Sequence, residues 1–272
     1  MNFGLRGHDI QSDSIENLAV KCRELGLTSV QLVFKKTIKD FKEGMFSPSY
    51  AMNIGKTFTK SNIEIAVLGC YINPSNTDEI KLKKDMNYFI ECLKYARFMN
   101  AGMVGLETGF IGSECIPQKN HTDEAYQILL SNMKTLCNAA EKLGVMIGIE
   151  GVSSFVINTP EKMRKLIDDL NSPNVCVILD ILNYLTIENH HKQEDVILKS
   201  FDILKNEIGA IHLKDFIIKN DEIHYIYPTN GNMNIRLILS LAKKYKPGIP
   251  IILEEVKGDD VKKVIHDIKA VI

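Results

Sequence analysis

Short apolar runs alternate with longer amphipathic stretches along the whole chain, and nothing else in the sequence narrows the fold as much. An apolar run of four to eight residues between turn signals reads as a strand buried on both faces. An amphipathic stretch between two such runs reads as a helix laid over the sheet. The strand candidates are Asn2 to Gly7, Ser29 to Phe34, Ile63 to Tyr71, Met103 to Glu107, Val145 to Glu150, Val175 to Asp180, Ala210 to Lys214 and Pro250 to Glu254. Eight cycles in 272 residues give thirty-four residues each, about the size of a βα step. The expected fold is α/β, a single (β/α)8 TIM barrel over residues 1–272. A doubly wound open sheet shares the alternation, but it wants a Gly-rich turn after its first strand, and His8-Asp9-Ile10-Gln11 is not one.

The intervening helices carry the matching period. Leu82, Met86, Phe89 and Leu93 fall on one stripe, as do Ile128, Asn132, Leu136, Ala139 and Leu143. Thr77, Thr122 and Thr159 offer capping hydroxyls ahead of acids or proline, and Gly26 and Gly144 stand where helices should stop. One irregular segment, Phe216 to Asn234, reads as an insertion after the seventh strand, with a small hairpin near 216–227.

Composition excludes several classes of function. Lys and Arg are scattered and the formal net charge is −1, so there is no basic face for nucleic acid or an acidic membrane. Six cysteines form no CxxC pair or cluster and read as reduced core residues. No apolar run is long enough to span a bilayer and the first residues lack a signal-peptide core, which makes the cytoplasm the expected compartment. A small molecule is the expected partner; homo-oligomerisation is left open.

Four polar residues stand at the C-terminal ends of successive strands: Glu150, Asp180, His212 and Glu254. In a barrel these ends converge on one mouth. Three carboxylates and one imidazole form a donor set for a single divalent metal, Mn2+ or Mg2+ first, with Co2+ or Zn2+ as alternatives. Any one of them alone could be a helix cap or a hydrogen-bonded core residue. Independent caps, however, have no reason to recur at the same step of four units. His8, Tyr71, Asn73, Glu107, Lys214 and Asp215 are further candidates for the pocket, with Lys214 offering charge to a phosphate or carboxylate. Asn230-Gly231-Asn232 could present backbone amides to a phosphate, although a plain turn is the simpler reading.

In Ile149-Glu150, Leu179-Asp180, Ile211-His212-Leu213-Lys214-Asp215 and Leu253-Glu254-Glu255 the chain resembles the xylose isomerase-like sugar phosphate isomerases and epimerases. That group includes ketose 3-epimerases, hydroxypyruvate isomerases and inosose dehydratases. The resemblance implies that Glu150, Asp180, His212 and Glu254 bind the metal and that Glu150 and Glu254 also exchange a proton with substrate carbon. It thus implies a sugar or sugar-phosphate isomerase or epimerase, with a dehydratase on the same site as the main alternative. The chain departs from the family's sugar epimerases at Asn183, where they commonly carry a substrate-binding histidine, and at Val156, where they carry a glutamate. Asn183 can still hydrogen-bond a substrate hydroxyl. A related zinc-cluster endonuclease would need more histidines at strand ends and a basic groove, and a sugar-binding or regulatory barrel without turnover would not need both glutamates.

Overall fold

The computed structural model describes residues 1–258 and 260–271. Its strands are β1 (Asn2–Arg6), β2 (Ser29–Leu32), β3 (Glu64–Gly69), β4 (Met103–Glu107), β5 (Ile147–Glu150), β6 (Val175–Asp180), β7 (Ile208–Leu213), β8 (Asp215–Lys219), β9 (Glu222–Ile226) and β10 (Pro250–Leu253). Eight of them close a parallel barrel in the order β1-β10-β7-β6-β5-β4-β3-β2, the (β/α)8 architecture that the alternation predicts. Helices α1 (Ile15–Glu24), α2 (Phe34–Thr37), α3 (Pro48–Lys60), α4 (Glu79–Met99), α5 (Pro117–Asn120), α6 (Asp123–Leu143), α7 (Pro160–Leu170), α8 (Gln193–Leu204), α9 (Ile235–Tyr245) and α10 (Asp260–Ala270) surround it. None of the described helices is long and apolar enough to cross a membrane.

Local chemistry explains where the helices start and which face they bury. Thr122 and Thr159 cap α6 and α7 by accepting from Ala125 and Lys162 backbone amides, but at α4 the cap is Asp78, not Thr77. Its carboxylate accepts two amides, from Ile80 and Lys81, where a hydroxyl one residue earlier has no such reach. On α4 the predicted stripe faces inward, with Met86, Phe89 and Leu93 buried. On α6 it is rotated: the deepest line is Leu129, Met133, Leu136 and Ala140, and Asn132 sits at the edge, donating to the Pro74 carbonyl. Five of the six cysteines are buried free thiols, while Cys115 is exposed.

The barrel lumen holds a compact apolar layer that includes Val67, Met103, Cys176, Ile178, Ala210 and Ile252. Glycines make room for it: a Cβ on Gly148 would stand 2.6 Å from Met103 Sδ, and one on Gly105 would stand 2.8 Å from both Ile178 and Val67. Fully burying a large aliphatic side chain contributes about 1.5–3 kcal/mol, so this layer is a substantial source of stability and it fills the barrel below the mouth. After β7 the chain forms an antiparallel hairpin of β8 and β9, with Lys219 opposite Glu222. Asn220 and Asp221 both have positive φ, 53° and 58°, the combination that a two-residue turn matching strand twist requires.

Candidate active site at the barrel mouth

Side chains alternate along a strand, so the residue closing a strand and the one two positions earlier enter the lumen together. Glu150 therefore stands above Gly148, Asp180 above Ile178, His212 above Ala210 and Glu254 above Ile252. The strand register puts these residues at one level, pairing Glu107 with Glu150, Asp180 with His212 and Arg6 with Gln31. All four predicted ligands are buried, none more than 7% exposed.

Glu150, Asp180 and His212 each place one ligand atom within 4.8 Å of the other two. His212 Nδ1 lies 3.2 Å from Glu150 Oε1 and 3.4 Å from Glu254 Oε1, so all four predicted groups meet around this imidazole. Lys214 Nζ bridges Asp180 Oδ2 at 2.6 Å and Glu254 Oε2 at 3.0 Å. The tight turn after β6 folds Asn183 back over the strand end, where its Nδ2 donates to Glu150 Oε1 at 2.7 Å and its backbone N donates to Asp180 Oδ1 at 3.3 Å. Immediately after Glu254 the backbone enters the left-handed region at Glu255 (φ 59°). A non-glycine residue there costs roughly 1–2 kcal/mol, offset here by the Glu254 N–H bond to Leu213 O and the Arg6 pairing with Glu255.

Burial and mutual charge pull these groups in opposite directions. Burial alone would strip the proton from His212, but Glu150 and Glu254 outweigh it and raise the imidazole to about 9. Burial would likewise neutralise Glu254, yet His212, Lys214 and Arg6 hold it ionised, down to about 2. The Asp180 carboxyl sits above its usual range because burial and the neighbouring Glu150 and Glu254 outweigh Lys214. Lys214 is raised because Asp180 and Glu254 more than offset its burial. Glu107 is pushed up to about 7 by burial and by Glu150 beside it, and it has no hydrogen-bond or ion-pair partner among the described residues.

The donor set fits a divalent cation. Carboxylates packed this closely repel one another, and here an imidazolium and a lysine supply the compensating charge. Asp180 Oδ2, though close to Lys214, has no aligned hydrogen bond among the described residues, which leaves a buried carboxylate oxygen with a lone pair free for a cation. His212 Nε2 is bound on its far side by Gln31 Oε1 at 2.7 Å, so Nδ1 is the nitrogen turned toward the carboxylates.

Above this floor opens a cavity of about 580 Å3, lined by Glu150 and Glu254 and by the predicted His8, Tyr71, Glu107, Asn183 and Lys214. Not every predicted residue is free to serve it. The Lys214 ammonium is spent on Asp180 and Glu254 and is not left over for a phosphate. Asp215 is directed away from the cavity, its carboxylate accepting the backbone amides of Phe216, Gly231 and Met233. The same bonds, together with Asn232 N to Phe216 O, engage the amides of Gly231, Asn232 and Met233, so this turn serves as an anchor for the insertion. Asn73 is likewise committed, to both backbone groups of Phe110.

Two residues that the sequence reading passed over stand in the site. Arg6, closing β1, reaches Glu254, Glu255 and Asp9; Gln31, inside β2, bonds His212 and Tyr71. Both show the same signal as the four ligands, a polar residue at the inward step of an otherwise apolar strand. The hairpin adds Tyr225, whose ring lies 5.1 Å from Lys214 Nζ at the cavity wall.

Comparison with solved structures finds the same barrel in proteins of low identity. A D-tagatose 3-epimerase-like protein superposes with a TM-score of 0.78 at 20% identity, covering 100% of this chain and 97% of that one. The probable 3-DHS dehydratase AsbF from Bacillus anthracis gives 0.74 at 13% identity, covering 99% and 98%. The IolI protein with a bound zinc atom gives 0.73 at 16% identity, covering 100% and 96%. Comparison with curated proteins finds no match. The sequence pattern of the xylose isomerase-like TIM barrel matches residues 19–270, almost the whole chain, and with the closed barrel and the convergent strand ends it leads to one conclusion: this chain belongs to the xylose isomerase-like TIM barrel family.

Proposed function

We propose that the chain is a divalent-metal-dependent isomerase or epimerase of a sugar or sugar phosphate, acting by proton transfer at the carbon beside a carbonyl. The observation that carries this reading is the buried cluster of Glu150, Asp180, His212 and Glu254 on the floor of an open cavity. These four residues would hold the ion, with Mn2+ the best match to an oxygen-rich set and Mg2+, Co2+ or Zn2+ as alternatives. Zinc in the IolI structure supports a divalent ion in this family. When bound, the ion supplies Lewis acidity to offset the charge that builds on the carbonyl oxygen.

The remaining chemistry belongs to the side chains. Glu254 is held ionised at neutral pH by His212, Lys214 and Arg6, the state a proton acceptor needs. Glu150 approaches from β5, separated from β10 by β6 and β7, so the two carboxylates flank the bound carbon from different sides. Proton removal by one and return by the other inverts a centre; return to the adjacent carbon interconverts aldose and ketose. His8, whose Nδ1 is buried without a partner among the described residues, and the hydroxyl of Tyr71 offer hydrogen bonds to substrate oxygens. A cavity of about 580 Å3 is the right size for a small carbohydrate.

One observation favours a dehydratase as the second reading. Glu107, at about 7, is partly protonated near neutrality and could deliver a proton to a departing hydroxyl. The test is turnover of free and phosphorylated ketoses and of inosose by the Mn2+-supplemented protein, followed by proton NMR. New sugar epimers or isomers support the first reading and loss of water supports the second. Binding without turnover across the panel would leave a sugar-binding barrel.

A further inference from the structure

Gln31 is a polar side chain in a strand whose every residue is buried, itself 1% exposed, and both ends of its amide are engaged. Its Oε1 lies 2.7 Å from His212 Nε2 and its Nε2 lies 2.6 Å from the Tyr71 hydroxyl. We infer that Gln31 is a positioning residue that fixes the metal-binding form of His212 as the Nε2-protonated tautomer and turns the Tyr71 hydroxyl hydrogen into the cavity as a donor to a substrate oxygen.

The first half follows from which ring nitrogen faces what. Nδ1 is turned to Glu150 and Glu254, so a cation among those carboxylates needs the Nδ1 lone pair and leaves the ring proton on Nε2. An amide oxygen opposite Nε2 accepts that proton's hydrogen bond; an amide nitrogen there would oppose it. With the oxygen in place, His212 can release its Nδ1 proton to solvent and offer that lone pair to a cation while the bond to Gln31 stays as it is.

The second half follows from the other end of the same amide. With Oε1 on His212, the NH2 group must face Tyr71 and donate to its oxygen, so the phenol cannot point its own hydrogen back at Gln31. Among the described residues that hydroxyl donates to no protein acceptor, and Tyr71 lines the cavity. The hydrogen is therefore left for whatever occupies the cavity. This part rests on the proposed sugar chemistry, whereas the tautomer of His212 rests only on the metal reading.

Two substitutions separate the halves. Gln31→Leu removes both hydrogen bonds, and Mn2+ affinity by calorimetry should fall about 10- to 100-fold, the usual cost of losing an outer partner of a metal-bound histidine. Gln31→Glu keeps an acceptor for His212 but presents a second acceptor to Tyr71, so Mn2+ affinity should stay within a few-fold of wild type. The KM for whichever substrate the screen identifies should then rise about five- to tenfold, matched by Tyr71→Phe. Nitrogen NMR of the Zn2+-loaded protein should show His212 Nε2 protonated. Circular dichroism checks that each variant is folded. Wild-type Mn2+ affinity in folded Gln31→Leu, or an unprotonated Nε2, overturns the tautomer lock. Unchanged KM in Gln31→Glu or in Tyr71→Phe overturns the donor role. Failure of the wild-type chain to bind Mn2+ at all would instead sink the metal reading on which the function rests.

Discussion

Two layers of side chains share the inside of this barrel, and the contrast between them separates what holds the fold from what the fold is for. The lower layer, with Val67, Met103, Cys176, Ile178, Ala210 and Ile252, is apolar and close-packed around glycines. The upper layer, nearer the C-terminal ends of the barrel strands, holds Gln31, Glu107, Glu150, Asp180, His212 and Glu254. Every group in the lower layer contributes by leaving water. Every ionised group in the upper layer pays for leaving it, and is kept only because its neighbours carry the opposite charge. A barrel selected for stability alone would continue the lower layer upward.

The contrast predicts opposite outcomes for substitutions in the two layers. The largest effect is expected from Glu254→Gln, which removes the carboxylate proposed to accept the proton. Exchange of the substrate's α-proton with deuterated solvent should fall about 10²- to 10⁴-fold, and saturating metal should not restore it. Asp180→Asn should instead weaken metal binding, and high Mn2+ should recover part of the activity. Exchange at the wild-type rate in Glu254→Gln would remove it as the base and with it the proposed mechanism.

In the lower layer, Ile178→Ala opens a cavity beneath the site and should cost about 2–5 kcal/mol in denaturant unfolding, with Mn2+ affinity close to wild type. If metal binding collapsed in step with stability, the two layers would not be separable.

The smallest expected effect is a pH dependence. In the metal-free fold His212 is raised from 6.5 to about 9, so its stabilising contribution is complete below pH 6.5 and is lost as pH rises through 9. Glu254 runs the other way: drawn from 4.5 to about 2, it contributes above pH 4.5 and loses that contribution as pH falls through 2. Metal binding must displace the extra His212 proton, so Mn2+ affinity should increase about tenfold between pH 7 and 8. Calorimetry in buffers of different ionisation enthalpy should register one proton released; none released would exclude His212 as a ligand.

The barrel was legible in the sequence because a parallel strand covered on both faces is apolar throughout, while the helices outside it carry one apolar stripe. Strand ends were less so: β7 begins at Ile208, two residues before its candidate, because Gly209 weakens the apolar signal there. On α6 the apolar spacing points one step away from the buried line because Ile128 and Leu143 flank that line and are themselves partly buried. In the site, the convergence of Glu150, Asp180, His212 and Glu254 was readable from their shared step. The destinations of Lys214, Asp215 and Asn73 were not, since a strand-end side chain long enough to reach the cavity is also long enough to bond its neighbours or a loop. Gln31 and Arg6 were open to the same parity argument as the ligands.

The packed lumen also fixes an order of events. A closed barrel filled from below is approached through the cavity at its mouth, and the charged cluster lies on the floor of that cavity, beneath the space a substrate would occupy. Whatever binds lowest has to arrive first and leave last. Occupancy of the upper cavity should therefore slow the departure of anything held on the floor, so that the residence time of one guest is set by the next.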